Sequence, residues 1–190
     1  LPFLLLLIIG TVLIIRQQRN MPYQKNTGLV FGTVYNLTYQ CDSDLNEGVL
    51  AELQKVDNSL SPFNEKSIIT AVNQNKDVRL DEMFLTVFNK AMAVSDDTEG
   101  AFDITVAPLV NAWGFGFKNG IEPTRQQVDR LRQIVGYKNV SLVDGKVIKQ
   151  DPRMMLDCSA IAKGYGTDVI ANYLRSRGVK NFMVEIGGEI

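Results

Sequence analysis

Apolar residues run almost unbroken over residues 1–15, interrupted by Gly10 and Thr11 and closed by Arg16 and Arg19. The run has no polar face to turn toward water, so it fits a buried core helix poorly. As a helix it extends about 22 Å, short of the roughly 30 Å hydrocarbon core of a bilayer. An uncleaved membrane anchor and the core of a signal peptide both fit, and no small-residue lipobox with a cysteine follows. The expectation is an anchor over residues 1–16; the positive-inside rule pulls its arginine flank inward, but these residues alone do not set the orientation. Polar residues 17–27 read as a linker. Over 28–40, β-branched and aromatic residues alternate and predict a strand. Gly32 inside it marks a bulge or a close backbone approach by a ligand.

Helical periodicity takes over after that strand. Leu45, Val49, Leu53, Val56 and Leu60 recur at three- and four-residue steps and predict a helix over 43–60, broken by Ser61-Pro62-Phe63-Asn64. A short helix is expected over 67–74 and a brief extended piece over 78–80. Asp81 caps a helix running to Val94, with Phe84, Val87, Phe88, Ala91 and Val94 on one face. Thr124 and Gln127 have the capping-box spacing, which starts a helix to Val135 with Gly136 as its C-cap. Asp144-Gly145 between two extended runs signals a hairpin. Residues 154–157 read as extended, 161–177 as a helix ended by Gly178, and 181–186 as a strand. Hairpins mixed with helices define an α+β class.

Composition narrows the chemistry. The chain has 190 residues, a net charge of −1, two cysteines and no histidine. Near-neutral charge argues against a nucleic-acid surface. Cys41 and Cys158 are far apart, which argues against a structural zinc site or a disulfide framework. Without histidine no Ser-His-Asp or Cys-His pair can form. Carboxylates, lysines, hydroxyls, backbone groups and a hard oxygen-ligated ion such as magnesium remain. The chain lacks an initial methionine and stops in Ile186-Gly187-Gly188-Glu189-Ile190, so it reads as a fragment.

Four stretches stand out. Asp157 sits where a strand hands over to a helix. It or Ser159 caps that helix; alternatively, free N–H groups beside small Ser159 and Ala160 admit a phosphate, with Lys163 one turn in. Gly164 costs about 1 kcal/mol relative to alanine in a helix, so something packs or binds close to it. Ala101-Phe102-Asp103 opens a strand with a solvated acid or opens a ligand surface. The Trp113-Gly114-Phe115-Gly116-Phe117 run forms core or a platform for planar rings. Phe63 is a hydrophobic plug or a ring-stacking residue.

Together these stretches resemble the FAD:protein FMN transferase (ApbE) family. The resemblance is carried by Phe31-Gly32-Thr33 with Tyr35, by Ser61-Pro62-Phe63 with Ser67 and Asn73, and by Gly100-Ala101-Phe102-Asp103 with Pro108 and Trp113-Gly114-Phe115-Gly116. Leu156-Asp157-Cys158-Ser159-Ala160-Ile161-Ala162-Lys163-Gly164-Tyr165 with Asp168, and Ile186-Gly187-Gly188-Glu189, complete it in family order.

The resemblance implies a tunnelling-fold-like α+β flavin-binding domain over 28–190. It implies magnesium-dependent cleavage of the FAD pyrophosphate, with FMN passed to a threonine or serine hydroxyl of a target protein and AMP released. It places flavin contacts at Phe31, Phe63, Ala101, Phe102, Asp103, Asp157 and Lys163, with Lys163 the candidate for pyrophosphate charge stabilisation. It places a magnesium contact at the carbonyl of Ala160. Phe31 and Phe63 stand where other members often carry methionine and tyrosine or tryptophan. The implied partners are FAD and the flavin-acceptor subunits of membrane redox complexes. The implied location is a bacterial cell membrane, with the catalytic domain on the extracytoplasmic, periplasmic side. The family's remaining magnesium ligands, an aspartate and a threonine, and a His-Ile-Ile-Asp-Pro-like motif lie in a later segment, so this chain alone is expected to be catalytically incomplete. A magnesium-dependent FAD pyrophosphatase shares every motif seen here, and a non-catalytic, membrane-anchored flavin-binding protein is a third reading of a different class.

Overall fold

The computed structural model describes residues 2–19, 21–115 and 122–190. Its contacts divide the chain into two compact units, Leu1–Glu52 with Thr167–Ile190, and Leu53–Gly166.

The first unit opens with helix α1, Pro2–Arg19, as the apolar run predicts. Its large side chains face outward, from Phe3 (77% exposed) to Leu13 (59%). Among the described residues no helix is long and apolar enough to cross a membrane. Two strands follow, β1 (Tyr23–Val30) and β2 (Thr33–Gln40), paired antiparallel from Tyr23↔Gln40 to Val30↔Thr33. This differs from the expected linker over 17–27 and single strand over 28–40. Phe31 and Gly32 adopt φ of 52° and 73°, the paired left-handed conformation of a two-residue hairpin turn that matches strand twist. The turn, rather than a bulge, accounts for Gly32. The polar sequence of β1 gives no apolar alternation, because β1 is an edge strand without a buried face.

Strand β5 (Phe182–Ile186) pairs antiparallel with the other side of β2, from Tyr35↔Ile186 to Tyr39↔Phe182. One face of this sheet buries Tyr35, Leu37, Tyr39, Val184 and Ile186. Helices α2 (Asn46–Leu60) and α7 (Ser159–Ser176) contribute Val49, Ile170 and Leu174 to this unit's core. Gly48 lets them approach: a Cβ there would lie 1.8 Å from the Tyr173 hydroxyl. The start of α2 is fixed by Asp44, whose carboxylate accepts from the Asn46 N–H at 2.9 Å and from the Tyr39 hydroxyl at 2.8 Å. The Tyr39 hydroxyl in turn accepts from the Leu45 N–H at 2.8 Å. Burial first, and then the Asp44 carboxylate, push the Tyr39 phenol up to about 12.

The second unit packs helices around Leu53, Val56, Leu60, Ile69, Phe84, Phe88 and Leu156. Helix α3 (Ile68–Asn73) is capped by Ser67, whose hydroxyl accepts from the Thr70 N–H and donates to the Ser61 carbonyl. Helix α4 (Glu82–Asp97) is capped by Asp81 through the Phe84 N–H, as the sequence predicts, and the same Asp81 oxygen accepts from the buried Ser59 hydroxyl at 2.7 Å. Helix α5 (Ala107–Ala112) carries a proline in its first turn. Helix α6 (Arg125–Arg132) has the predicted capping box, and ends before the predicted Val135. The Asp144-Gly145 hairpin forms between β3 (Val140–Val143) and β4 (Lys146–Lys149). Residues 155–157 run beside 104–106: Val106 bridges Met155 in parallel, and the Asp157 N–H donates to the Ile104 carbonyl at 2.8 Å.

Candidate functional site

A cavity of about 510 Å³ lies within the second unit, a size typical of small-molecule sites. Pro62, Phe63, Ala107, Val110, Phe115 and Met155 form its apolar side; Thr70, Asn73, Asn111, Asp157 and Ser159 are among its polar lining. Phe63 is 55% exposed, Trp113 45% and Phe115 81%. The aromatic–glycine run is therefore a surface at its start and not core; its Gly116 and Phe117 lie outside the described residues.

The polar wall is held by backbone-directed bonds. The Asn73 amide donates to the Leu156 carbonyl at 2.9 Å and accepts from the Leu156 N–H at 2.7 Å. Lys149 donates to the carbonyls of Val72 at 3.0 Å, Asn73 at 3.4 Å and Met154 at 2.9 Å. One ammonium thus caps the C-terminal end of α3 and ties it to the segment that leads into Asp157. Burial lowers the pKa of Lys149 from its ordinary value. Neither lysine spacing nor any motif points to this role. The one sequence signal is a cation in an otherwise ordinary hairpin strand.

Asp157 stands just before α7 and lines the cavity. Its carboxylate accepts from the Ser159 N–H at 2.7 Å, and the Cys158 carbonyl accepts from the N–H groups of Ile161 and Ala162. It therefore organises the first turn of α7 while lining the cavity. Ala160 is exposed in that first turn, and half-buried Lys163 follows three residues later, which sets the two on neighbouring positions of one helix face. A Cβ at Gly164 would meet nothing within 4 Å. The expected tight packing of protein on Gly164 is therefore absent. Cys158 is buried, and burial followed by the neighbouring Asp157 charge pushes its thiol up to about 12. It is inert as a nucleophile at neutral pH.

The other sequence-predicted residues fall elsewhere. Asp103 accepts from the Thr105 N–H at 2.8 Å and the Thr105 hydroxyl at 2.6 Å through one oxygen, and from the Tyr137 N–H at 2.9 Å through the other. Thr105 also accepts from the Gly136 N–H at 2.7 Å. Both carboxylate oxygens thus serve as a clamp between two loops, and Asp103 is not among the cavity-lining residues. Ala101 is exposed and Phe102 half-buried; their N–H groups donate to the Thr98 carbonyl and hydroxyl in the turn that ends α4. Phe31 sits in the β1–β2 turn of the first unit. In that unit too, the Glu185 carboxylate accepts from the Asn36 amide and, at 2.7 Å, from the Gly188 N–H. Those bonds, Asn36 foremost, hold Glu185 below the usual carboxylate range.

The donors near the start of α7 are all oxygen: the Ala160 carbonyl, the Ser159 hydroxyl and the second oxygen of Asp157. They suit a hard cation such as magnesium in kind. Among the described residues no group of three or more His, Cys, Asp or Glu side chains is assembled to hold a metal.

Comparison with known proteins gives the family. A model of the ApbE family matches residues 31–190. The FAD:protein FMN transferase of Vibrio cholerae is 35% identical over 175 residues, covering 86% of this chain and 52% of that protein. That of Haemophilus influenzae is 34% identical over 181 residues, with the same coverage. The chain spans about half the length of these relatives. The structure of the Vibrio cholerae flavin transferase ApbE superposes with a TM-score of 0.83 at 34% identity, covering 88% of this chain and 58% of that one. The apo flavinyl transferase ApbE of Pseudomonas stutzeri gives 0.80 at 28% identity, covering 88% and 60%. With its mixed α/β fold and a family match across most of its length, the chain belongs to the ApbE family.

Proposed function

We propose that this chain carries the flavin-binding and pyrophosphate-binding part of an enzyme that transfers FMN from FAD to a threonine or serine hydroxyl of a target protein. The observation that carries the reading is the cavity whose apolar side, with Phe63 and Met155, faces the acid that organises the first turn of α7. An apolar slot accepts a planar ring, and a helix N-terminus favours a phosphate. FAD joins the two chemistries in one molecule.

In this reading Phe63 packs against the ring system, while Asp157 fixes the first turn of α7 so that the backbone beside Ser159 and Ala160 approaches the pyrophosphate. Lys163, one turn along, offsets its negative charge. Gly164 leaves open space beside Lys163 for that approach. The target hydroxyl attacks the flavin-side phosphorus, the bond to the bridging oxygen breaks, AMP leaves, and the hydroxyl proton passes to solvent. A magnesium ion held in part by the Ala160 carbonyl would neutralise charge developing on the phosphates. Phe31, Ala101 and Phe102 are proposed as flavin contacts, and Asp103 as the group that holds the Ala101–Phe102 turn in place.

Helix α1 supports a membrane location, because its apolar side chains are exposed around its circumference and a lipid phase is the environment that covers such a surface. We place the catalytic domain on the extracytoplasmic side, with flavin-carrying subunits of membrane redox complexes as acceptors.

The test is incubation of the intact protein with FAD, Mg²⁺ and a threonine-bearing acceptor, followed by in-gel fluorescence. A covalent flavin band with stoichiometric AMP supports the reading. AMP and free FMN without a band favour the pyrophosphatase reading, and bound but intact FAD favours a binding protein.

A further inference from the structure

Three polar side chains on the cavity wall are already committed. Asn73 spends its amide on both backbone groups of Leu156. The Thr70 hydroxyl is engaged with Ser67 and the Pro62 carbonyl. One oxygen of Asp157 holds the Ser159 N–H. Asn111 differs. It lines the same cavity from α5, beside Val110, Phe115 and Met155, and among the described residues its amide makes one contact, to the Met155 sulfur at 4.0 Å. A thioether is a weak acceptor. The amide therefore retains a carbonyl with two lone pairs and a second N–H, set in an apolar wall.

Local structure gives Asn111 no other task. Asparagine is a poor helix former, and its side chain makes no capping bond in α5, a six-residue helix whose C-terminal carbonyls at Leu109 and Asn111 accept from the Trp113 N–H. A carboxamide surrounded by apolar surface is the arrangement that reads one edge of a flat heterocycle: the wall takes the ring faces and the amide pairs with an adjacent donor and acceptor on the ring rim.

We infer that Asn111 is a specificity-determining residue that hydrogen-bonds the donor–acceptor edge of a planar nitrogen heterocycle held in this cavity. The inference rests on the reading of the cavity as an FAD site. FAD carries two such edges, the imide of the flavin ring and the amidine of adenine, and side-chain amides pair with either.

The experiment is calorimetric titration of the intact protein and its Asn111→Leu variant, which keeps side-chain size and removes the amide, with FAD, FMN and ADP in turn. Thermal unfolding checks that the variant folds as the parent does. A loss of one well-formed hydrogen bond lowers FAD affinity about tenfold. The same loss for FMN with ADP unchanged assigns the flavin edge; the same loss for ADP with FMN unchanged assigns adenine. Asn111→Gln, which keeps the amide on a longer arm, recovers part of the affinity. Equal FAD affinity of parent and a folded Asn111→Leu variant overturns the inference and leaves the functional reading intact. Failure of the parent itself to bind FAD overturns that reading instead.

Discussion

The side-chain amide of Asn73 pairs with the backbone of Leu156 in both directions, donating to its carbonyl and accepting from its N–H. A single side chain at the end of α3 thereby replaces a strand partner for the segment that delivers Asp157 to the cavity. Two bonds of this kind contribute about 2 kcal/mol together. Asn73→Leu should lower unfolding free energy by that amount in urea denaturation, and should also weaken FAD binding, because the Asp157 segment loses its anchor.

Lys149 acts on the same segment from the other side. Replacing it with methionine leaves the carbonyls of Val72, Asn73 and Met154 without their common donor. A loss of roughly 1–3 kcal/mol is expected, measured by the same denaturation. Combined with Asn73→Leu the losses should be non-additive, since both residues hold residues 154–156 against α3.

Asp103→Asn tests whether that acid is a clamp. The substituted amide cannot accept through both ends, so one N–H of the Thr105 or Tyr137 pair loses its partner. Stability should fall by about 1–3 kcal/mol. Unchanged stability with lost FAD affinity would point instead to direct flavin contact.

Phe31 holds a left-handed φ of 52°, which costs a bulky residue on the order of 1–2 kcal/mol. Phe31→Asn gives the turn its preferred Asn-Gly pair and should raise stability by about 1 kcal/mol. If Phe31 touches flavin, the same variant binds FAD more weakly, and the two effects separate in denaturation and titration.

Alkaline pH should destabilise the first unit through Tyr39. Its folded pKa of about 12 exceeds the ordinary value of 10.0, so the folded state holds the proton more tightly than the unfolded chain. The contribution is fully present below pH 10 and is lost as pH rises toward 12. Tyr39→Phe should flatten that decline in a pH series of thermal unfolding.

What the sequence makes legible is chemistry decided within a few residues. Asp81, the Thr124–Gln127 box and Asp144-Gly145 each act on neighbours three or fewer positions away, and each appears as expected. Asp157, bonded to the Ser159 N–H two positions on, was legible for the same reason. Strand β1 was not, because its polar residues form a strand only once β2 offers a partner. The clamp role of Asp103 depends on a backbone N–H 34 positions away, and that of Asn73 on a residue 83 away. Asn111 is conspicuous only once the fold sets its amide beside Val110, Phe115 and Met155.

The central claim is that FAD occupies the cavity beside Asp157 with its pyrophosphate toward Lys163. It is tested most directly by titrating FAD into the intact protein and into Phe63→Ala and Lys163→Ala variants whose folding is verified by circular dichroism. Loss of ring packing or of a charge-assisted contact should weaken binding about tenfold in each variant. Parent-like FAD affinity in both folded variants would contradict the account.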